Sequence, residues 1–207
     1  ETSPPSVFSL AQLLDELQSI FLPLAHEKGL RLTTISDRHD RTPLSGDYDH
    51  LRQVLFNLVS NAIRYTDQGS VLVRIGAEDA QPGELTVNFA VEDTGPGIPA
   101  ADRQRIFEEF VRLGDHTEPQ GQTSSGLGLT IARAIVERMD SRLELNSEPG
   151  KGAIFFFTLR LAKASEAPAP VPEHHTADAA RRRLHLLVVD DNELNRTLLD
   201  EALGQLG

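Results

Sequence analysis

The chain has 207 residues, 39% of them hydrophobic, which is enough for one domain of ordinary size and part of a second. Its formal net charge of −11 disfavours a general affinity for nucleic acids or anionic membranes, so an anionic ligand would have to be held by local groups. The sequence has no cysteine, which excludes disulfides and thiolate metal sites. It also has no apolar run of about 18 residues and no signal peptide, and it therefore predicts a cytoplasmic piece of a longer protein.

The first part of the chain predicts two amphipathic helices separated by a strand. Ser9 can cap a helix whose apolar residues, from Leu10 to Leu24, follow helical spacing and which ends near Lys28 and Gly29. Residues 30–35 predict a strand, and residues 48–65 predict the second helix.

The second helix carries a polar face. Asn57, Asn61 and Arg64 are four and three residues apart, so they lie on one side of the helix. The carboxamide oxygen of Asn61 suits Mg²⁺, Arg64 offers charge to phosphates, and Tyr65 could lie against a base ring. The residues alone leave open an ordinary solvated helix face.

Two strands are predicted at residues 70–76 and 84–92, and the stretch VEDTGPGIP follows the alternation of the second. Asp93 stands at the strand end, while Gly95 and Gly97 allow backbone conformations closed to other residues and the prolines stiffen the loop. A carboxylate is therefore held beside a bare, stiff backbone. The alternative is a tight turn in which the acid caps its own amides.

The next stretch predicts a short amphipathic helix followed by a lid. Phe107 and Phe110 can enter a core, and a long polar insert then precedes a helix over 126–139. Gly126 and Gly128 at that helix start would leave free amides for an anion, although a lone glycine pair there more often serves packing.

Three features close the chain. Strands at 142–147 and 153–161 flank the turn signal EPGKG. Residues 162–183, rich in alanine and proline, predict a linker. Residues 184–189 predict a new strand that leads into a new helix.

Taken in order, four segments resemble the sequence boxes of the ATP-binding catalytic domain of sensor histidine kinases, which has the Bergerat-type nucleotide fold. NLVSNAIRYT is similar to the N box of the family, DTGPGI to its first glycine box, FEEF to its F box and SGLGL to its second glycine box. Over residues 9–161 the resemblance implies a two-layer α/β sandwich, a mixed and mainly antiparallel sheet of about five strands on about three helices, with a mobile ATP lid. Residues 1–8 would end the connection from an absent dimerisation and phosphoacceptor domain.

The resemblance also implies roles for the matching residues, with ATP and Mg²⁺ as cofactors. Asp93 would accept a hydrogen bond from the adenine amino group, Asn61 would be the magnesium ligand, and Arg112 would be a lid residue near the γ-phosphate. Asn57 and Arg64 would stand near the phosphates. The implied nucleotide-binding set is Asn57, Asn61, Arg64, Tyr65, Asp93, Gly95, Gly97, Ile98, Arg112, Ser125, Gly126, Leu127 and Gly128.

The chain departs from the family pattern at three places. The second glycine box usually begins with glycines where this chain has Thr123, Ser124 and Ser125. Asp140 and Ser141 stand where two glycines are common, and His50 replaces a frequent arginine ahead of the N box. We expect that neither the change at Asp140 and Ser141 nor the one at His50 abolishes nucleotide binding.

The tail at residues 184–207 resembles the beginning of a response-regulator receiver domain, a doubly wound fold. Asp190 and Asp191 would be its acidic pair for Mg²⁺, in an incomplete site because the phosphoacceptor aspartate would lie further along. The parent protein would therefore be a hybrid histidine kinase.

The implied reaction is transfer of the γ-phosphoryl group of Mg-ATP to a histidine on the upstream helical domain, which this chain lacks. The expected partners are that domain, the receiver domain of the same polypeptide, and further response-regulator or phosphotransfer proteins, with no nucleic acid. The parent protein is expected to be a homodimer, and an inner-membrane anchor is left open.

Two other functions remain as alternatives. The first is a pseudokinase that binds nucleotide only as a regulatory module, which Ser124 and Ser125 favour. The second is a hydrolytic ATPase of the same fold, of the gyrase or chaperone type, which typically has a water-activating glutamate where this chain has Asn57.

Overall fold

The computed structural model describes residues 5–37, 39–108, 111 and 127–165, which form seven strands and three α-helices. The strands are β1 (Ser6–Phe8), β2 (Arg31–Ser36), β3 (Leu44–Gly46), β4 (Ser70–Asp79), β5 (Glu84–Asp93), β6 (Glu144–Ser147) and β7 (Ala153–Lys163). The helices are α1 (Leu10–Glu27), α2 (Tyr48–Tyr65) and α3 (Gly128–Arg138), and a single 3₁₀ turn covers Arg105–Phe107. Across these ranges no helix has both the length and the apolar content needed to cross a membrane.

One mixed sheet contains all seven strands. Its order is β1-β3-β7-β5-β4-β2. The edge of β7 whose last residues pair with β3 also pairs, through its first residues, with β6. Every pairing is antiparallel except that of β2 with β4, which are joined by the long connection that contains α2. The fold is therefore α/β, as the sequence predicts, with a mixed sheet and three helices.

The core lies between one face of the sheet and the helices. Along β5, Leu85, Val87, Phe89 and Val91 are buried, so alternate residues of the strand face the helices. Phe89 stacks on Phe157 of β7 with 4.9 Å between ring centroids. Burial of these large side chains supplies the main driving force for folding and fixes the β5–β7 register.

The main helices begin and end close to the predicted residues. At the start of α1, the hydroxyl oxygen of Ser9 accepts a hydrogen bond from the Gln12 amide at 3.2 Å, as an N-cap residue does. Helix α2 covers the predicted 48–65. Ile20 and Leu24 of α1, which fit the apolar spacing, are 42% and 48% exposed, because α1 contacts the rest of the domain over a narrower stripe than its pattern suggests.

The sheet has more strands than the expected five, and it includes residues that precede and follow the expected domain. The strands β1 and β3 have three residues each, too few for a periodic pattern, and they form because each pairs with a neighbouring strand. Residues 6–8, expected in a connection, thus belong to the sheet. Residues 162–163, expected in the linker, pair with β3. The predicted helix around 106–110 is only a 3₁₀ turn in its described part.

The last turn of α3 contains a strained residue. Asp140 has φ +55°, and its amide donates to Glu137 O at 3.2 Å while the Ser141 amide donates to Val136 O at 3.1 Å. These two bonds form a Schellman motif, in which the left-handed residue is usually glycine. Asp140 also places a negative charge at the negative end of the helix dipole.

We predict that Asp140→Gly stabilises the domain by about 0.5–1 kcal/mol, because glycine adopts the left-handed conformation without steric cost. The control is Asp140→Ala, which removes the same charge but keeps a Cβ, and which should be less stable than the glycine variant. Urea unfolding measures both values. Equal stability of the two variants would show that strain at this residue is negligible.

Candidate functional site

The polar face of α2 lies at one end of the site. Asn57, Asn61 and Arg64 are half-buried, and the opposite side of the helix supplies Leu55, Leu58 and other core residues. The side-chain nitrogen of Asn57 is buried and has no hydrogen-bond partner within the described ranges. A buried donor without a partner costs about 1–3 kcal/mol, so this nitrogen is suited to an acceptor on a ligand.

The start of α3 faces this side of α2. A Cβ atom on Gly128 would lie 3.6 Å from Asn57 Oδ1 and 3.8 Å from Asn61 Nδ2. The first hydrogen bond within α3 runs from the Ile131 amide to Leu127 O at 2.9 Å, so the preceding amides point out of the helix end. The positive end of an eleven-residue helix and two asparagine side chains therefore meet at one place, which favours an anion.

A lysine from α1's end holds the last turn of α2. Lys28 Nζ donates to Ile63 O at 2.9 Å and to Arg64 O at 2.5 Å, so it binds carbonyls that the helix leaves without partners. It thereby fixes the turn that presents Arg64 and Tyr65. This role could not be predicted from the sequence, because Lys28 and Arg64 are distant in the chain and no local pattern joins them.

Asp93 lies at the other end of the site, where β5 ends. Its side chain is buried, and Oδ1 accepts a hydrogen bond from the Gly95 amide at 2.8 Å. Burial raises the pKa of this carboxyl above its usual value, and hydrogen bonds from the Gly95 and Ala153 amides oppose that rise. The predicted alternative, an acid that caps its own turn, is thus part of the structure, but the carboxylate is also held out of water.

Three oxygen atoms surround Gly95. A Cβ atom there would lie 2.9 Å from Asp93 Oδ1, 2.9 Å from Tyr65 O and 3.3 Å from Thr66 Oγ1. Thr66 is completely buried, and its hydroxyl has no partner in the part of the chain that the structure describes. The C-terminal end of α2 therefore meets Asp93 at a residue that has to be glycine, and an unused hydroxyl stands beside the carboxylate.

The loop after Asp93 rests on the turn between β6 and β7. Gly97 has φ +70°, and a Cβ atom on it would be 2.0 Å from Glu148 O. Gly152 has φ +83°, and a Cβ atom there would be 1.9 Å from Asp93 O. The EPGKG segment, which the sequence predicts as a plain turn, thus packs against Asp93 and the loop that follows it. Its second glycine was the only local sign of this contact in the sequence.

Several predicted site residues come together. Asn57 and Asn61 face Gly128, while Tyr65 and Asp93 meet at Gly95. Arg64, Gly97, Ile98 and Leu127 are half-buried beside them in the chain, and Tyr65 is 39% exposed.

Other predictions fall outside the described residues. These are Arg112, Ser125 and Gly126 of the lid and second glycine box, and Asp190 and Asp191 of the tail. Among the described residues there is no cluster of three or more His, Asp or Glu side chains that could hold a metal ion.

Comparisons with known proteins show the family to which the chain belongs. Residues 46–163, more than half of the chain, match the family described as histidine kinase-, DNA gyrase B- and HSP90-like ATPases. The chain is 32% identical over 200 residues to the sensor protein GacS of Pseudomonas syringae, covering 97% of this chain and 21% of GacS. It is 36% identical over 201 residues to the sensor histidine kinase AruS of Pseudomonas aeruginosa, covering 97% of this chain and 19% of AruS.

A solved structure is also similar. Full-length ShkA in complex with AMPPNP superposes with a TM-score of 0.65 at 33% identity, covering 83% of this chain and 33% of ShkA. The chain thus spans about a fifth of the length of the two curated relatives and a third of ShkA.

We predict that Asp93→Asn raises the free energy of unfolding at pH 7. The raised pKa means that the folded state keeps a proton at pH values where the unfolded chain has lost it, so the stability falls as pH rises through this window. The amide removes that cost and still offers an oxygen to the Gly95 amide.

This gain in the free energy of unfolding should shrink as pH falls and vanish below the ordinary aspartate pKa of about 3.9. There Asp93 is protonated in both the folded and the unfolded state of the unaltered chain. Glu144→Gln on the exposed side of β6 is the control and should change stability by less than about 0.5 kcal/mol. Urea unfolding at several pH values measures the difference. A gain that is the same at every pH would contradict the assigned cause.

Proposed function

The chain belongs to the family of histidine kinase-, DNA gyrase B- and HSP90-like ATPases, as the catalytic domain of a sensor histidine kinase, and we propose that it binds Mg-ATP between α2, α3 and Asp93. We further propose that it transfers the γ-phosphoryl group to a histidine on a domain outside this chain. The observation that carries the proposal is the start of α3 against Asn57 and Asn61, since the buried side-chain nitrogen of Asn57 has no partner among the described residues.

The phosphate groups would lie at this junction. The outward amides of α3 and the Asn57 side-chain nitrogen would donate to phosphate oxygens, and Arg64 on the same face of α2 would add positive charge. These donors are fixed in place before the ligand arrives, since both helices pack in the core. Part of the cost of leaving Asn57 unsatisfied would be recovered on binding.

The adenine ring would lie at the other end, beside Asp93. One carboxylate oxygen already accepts from the Gly95 amide, and the carboxylate can accept further from the adenine amino group. The partly exposed ring of Tyr65 offers an apolar face to the base, and the Thr66 hydroxyl offers a further polar contact. The bound nucleotide of ShkA, AMPPNP, supports this class of ligand.

Mg²⁺ would be held by the carboxamide oxygen of Asn61 together with phosphate oxygens. A neutral side-chain oxygen fits a cation that keeps water and phosphate among its ligands. When bound, the metal would neutralise charge on the phosphates during transfer. Asn61 itself would orient the triphosphate relative to α3.

The remaining parts of the reaction would come from outside the described residues. The acceptor histidine would belong to an upstream dimerisation domain in a homodimeric parent, and Arg112 would close over the γ-phosphate. Residues 184–207 would begin a receiver domain in which Asp190 and Asp191 form the acidic pair. That domain, with further response-regulator or phosphotransfer proteins, would take the phosphoryl group onward.

Two competing functions have weaker support. A hydrolase needs a base for water, and Asn57, whose carboxamide cannot accept a proton at neutral pH, occupies the position one turn before Asn61. A nucleotide-binding module without transfer activity remains the second candidate, favoured by the serines at 124 and 125.

The role of Asn61 can be tested by calorimetric titration of ADP with and without Mg²⁺. Asn61→Ala should reduce the ratio of the two affinities towards one, because the metal loses its protein ligand. Asp93→Asn is the matched control at the base end, where the affinity should fall by about 1–3 kcal/mol, roughly 5- to 150-fold, to a similar extent in both conditions. A Mg²⁺ dependence that Asn61→Ala leaves intact would exclude this residue as the ligand.

Phosphoryl transfer can be tested by mixing this chain with the separately produced dimerisation and phosphoacceptor domain of its parent and with labelled ATP. We expect label on the histidine of that domain, and none when Asn61→Ala or Asp93→Asn replaces the unaltered chain at limiting ATP. Binding of ATP without transfer would favour the nucleotide-binding module, and release of labelled phosphate alone would favour the hydrolase.

A further inference from the structure

Ser147, the last residue of β6, is a buried polar residue outside the predicted site. It is 3% exposed, and its hydroxyl accepts a hydrogen bond from the Ile98 amide at 2.8 Å and donates one to Gly152 O at 2.7 Å. Both the donor and an acceptor of the hydroxyl are thus used. Its two partners belong to different segments, the loop after Asp93 and the turn before β7.

The same two segments are joined by a backbone hydrogen bond from the Gly150 amide to Pro96 O at 2.6 Å. They also approach too closely for a side chain at Gly97 or at Gly152. The loop 94–98 and the turn 148–152 therefore form one unit, which we call the loop–turn clamp. Ser147 is the buried side chain that bonds to both of its halves.

The clamp also controls the position of Asp93. Gly152 lies against the backbone oxygen of Asp93, and Ala153, the next residue, pairs with Asp93 in the sheet and bonds to its carboxylate. A shift of the turn would consequently move the carboxylate and the following loop together. A hydroxyl that ties Gly152 to Ile98 opposes such a shift.

We propose that Ser147 is a positioning residue for the base end of the nucleotide site. Its hydroxyl keeps the backbone of the loop 94–98 at a fixed distance from the Asp93 carboxylate, and it does not touch the nucleotide. This inference rests on the proposed function, because a fixed spacing between the carboxylate and the loop backbone matters only if a flat ring enters there. The hydroxyl of Ser147 bonds to Ile98 and Gly152, whereas the phosphate end is built from α2 and α3 and should not depend on it.

The test compares Ser147→Ala with Ser141→Ala. Ser141 is a suitable control because its hydroxyl also donates to a backbone carbonyl, that of Thr158 in β7 at 2.6 Å, but lies outside the clamp. Two ligands, ADP and inorganic tripolyphosphate, are titrated against each variant, and hydrogen exchange is measured at the Ile98 and Gly150 amides without ligand.

We expect Ser147→Ala to weaken ADP binding by about tenfold, as the loss of a buried hydrogen bond implies, to leave tripolyphosphate binding unchanged and to speed exchange at Ile98. Ser141→Ala should change none of these. Ser147→Cys replaces the hydroxyl by a larger thiol that is only a weak donor and acceptor, so it should show the same selective loss without leaving a cavity.

Equal losses for ADP and tripolyphosphate would overturn the inference, because they would indicate general destabilisation. Unchanged ADP affinity with unchanged exchange at Ile98 would overturn it as well. If the unaltered chain bound no ADP, the proposed function would fail and this inference with it, whereas failure of the inference alone leaves ADP binding by the unaltered chain intact.

Discussion

The antiparallel pairing of β5 with β7 is the constraint on which the rest of the structure depends. It runs from Glu84 opposite Ala162 to Asp93 opposite Ala153, with the Phe89–Phe157 stack near its middle. Because side chains alternate along a strand, a slip of one residue would turn the whole buried set towards solvent. The same register brings the end of β5 against the start of β7. Asp93, its loop and the β6–β7 turn can meet only in this register.

Helix α2 extends this arrangement to the other end of the site. Its apolar side packs on the sheet and its polar side carries Asn57 and Asn61, while Thr66 directly follows its last residue. By the rise of an α-helix, the line along the axis from Asn57 to Thr66 is about 14 Å long. One end of that line meets the start of α3, and the other meets Gly95. Two buried polar atoms on it, Asn57 Nδ2 and Thr66 Oγ1, lack partners in the described ranges. Such atoms cost stability, and a functional role or a bound molecule is a physical reason to keep them.

Local sequence patterns predicted the parts of the fold that are long and periodic. The predicted range of α2 agrees with the structure, and β5 and the placement of Asp93 at its end follow from alternation alone. The strands β1 and β3 were missed because three residues carry no periodicity and their pairing partners are distant in the chain. Lys28, Ser147 and Gly152 were missed for the same reason, since each acts on a segment that only the tertiary fold brings near. A motif supplies candidate site residues from within its own segment, whereas residues that support the motif from another element cannot be proposed from the sequence.

The two ends of the proposed site are built by different physical means, and this difference has consequences for how each could vary. The base end depends on sheet register and on three glycines that have no room for a Cβ atom, Gly95, Gly97 and Gly152, so changes there alter the backbone next to β5 and β7. The phosphate end depends on where α3 begins and on side chains of one helix face, which can change without moving the sheet. Departures from the family pattern in the second glycine box lie next to the start of α3. We therefore expect them to act on phosphate geometry and on transfer, while recognition of the base stays with Asp93 and the elements that hold it.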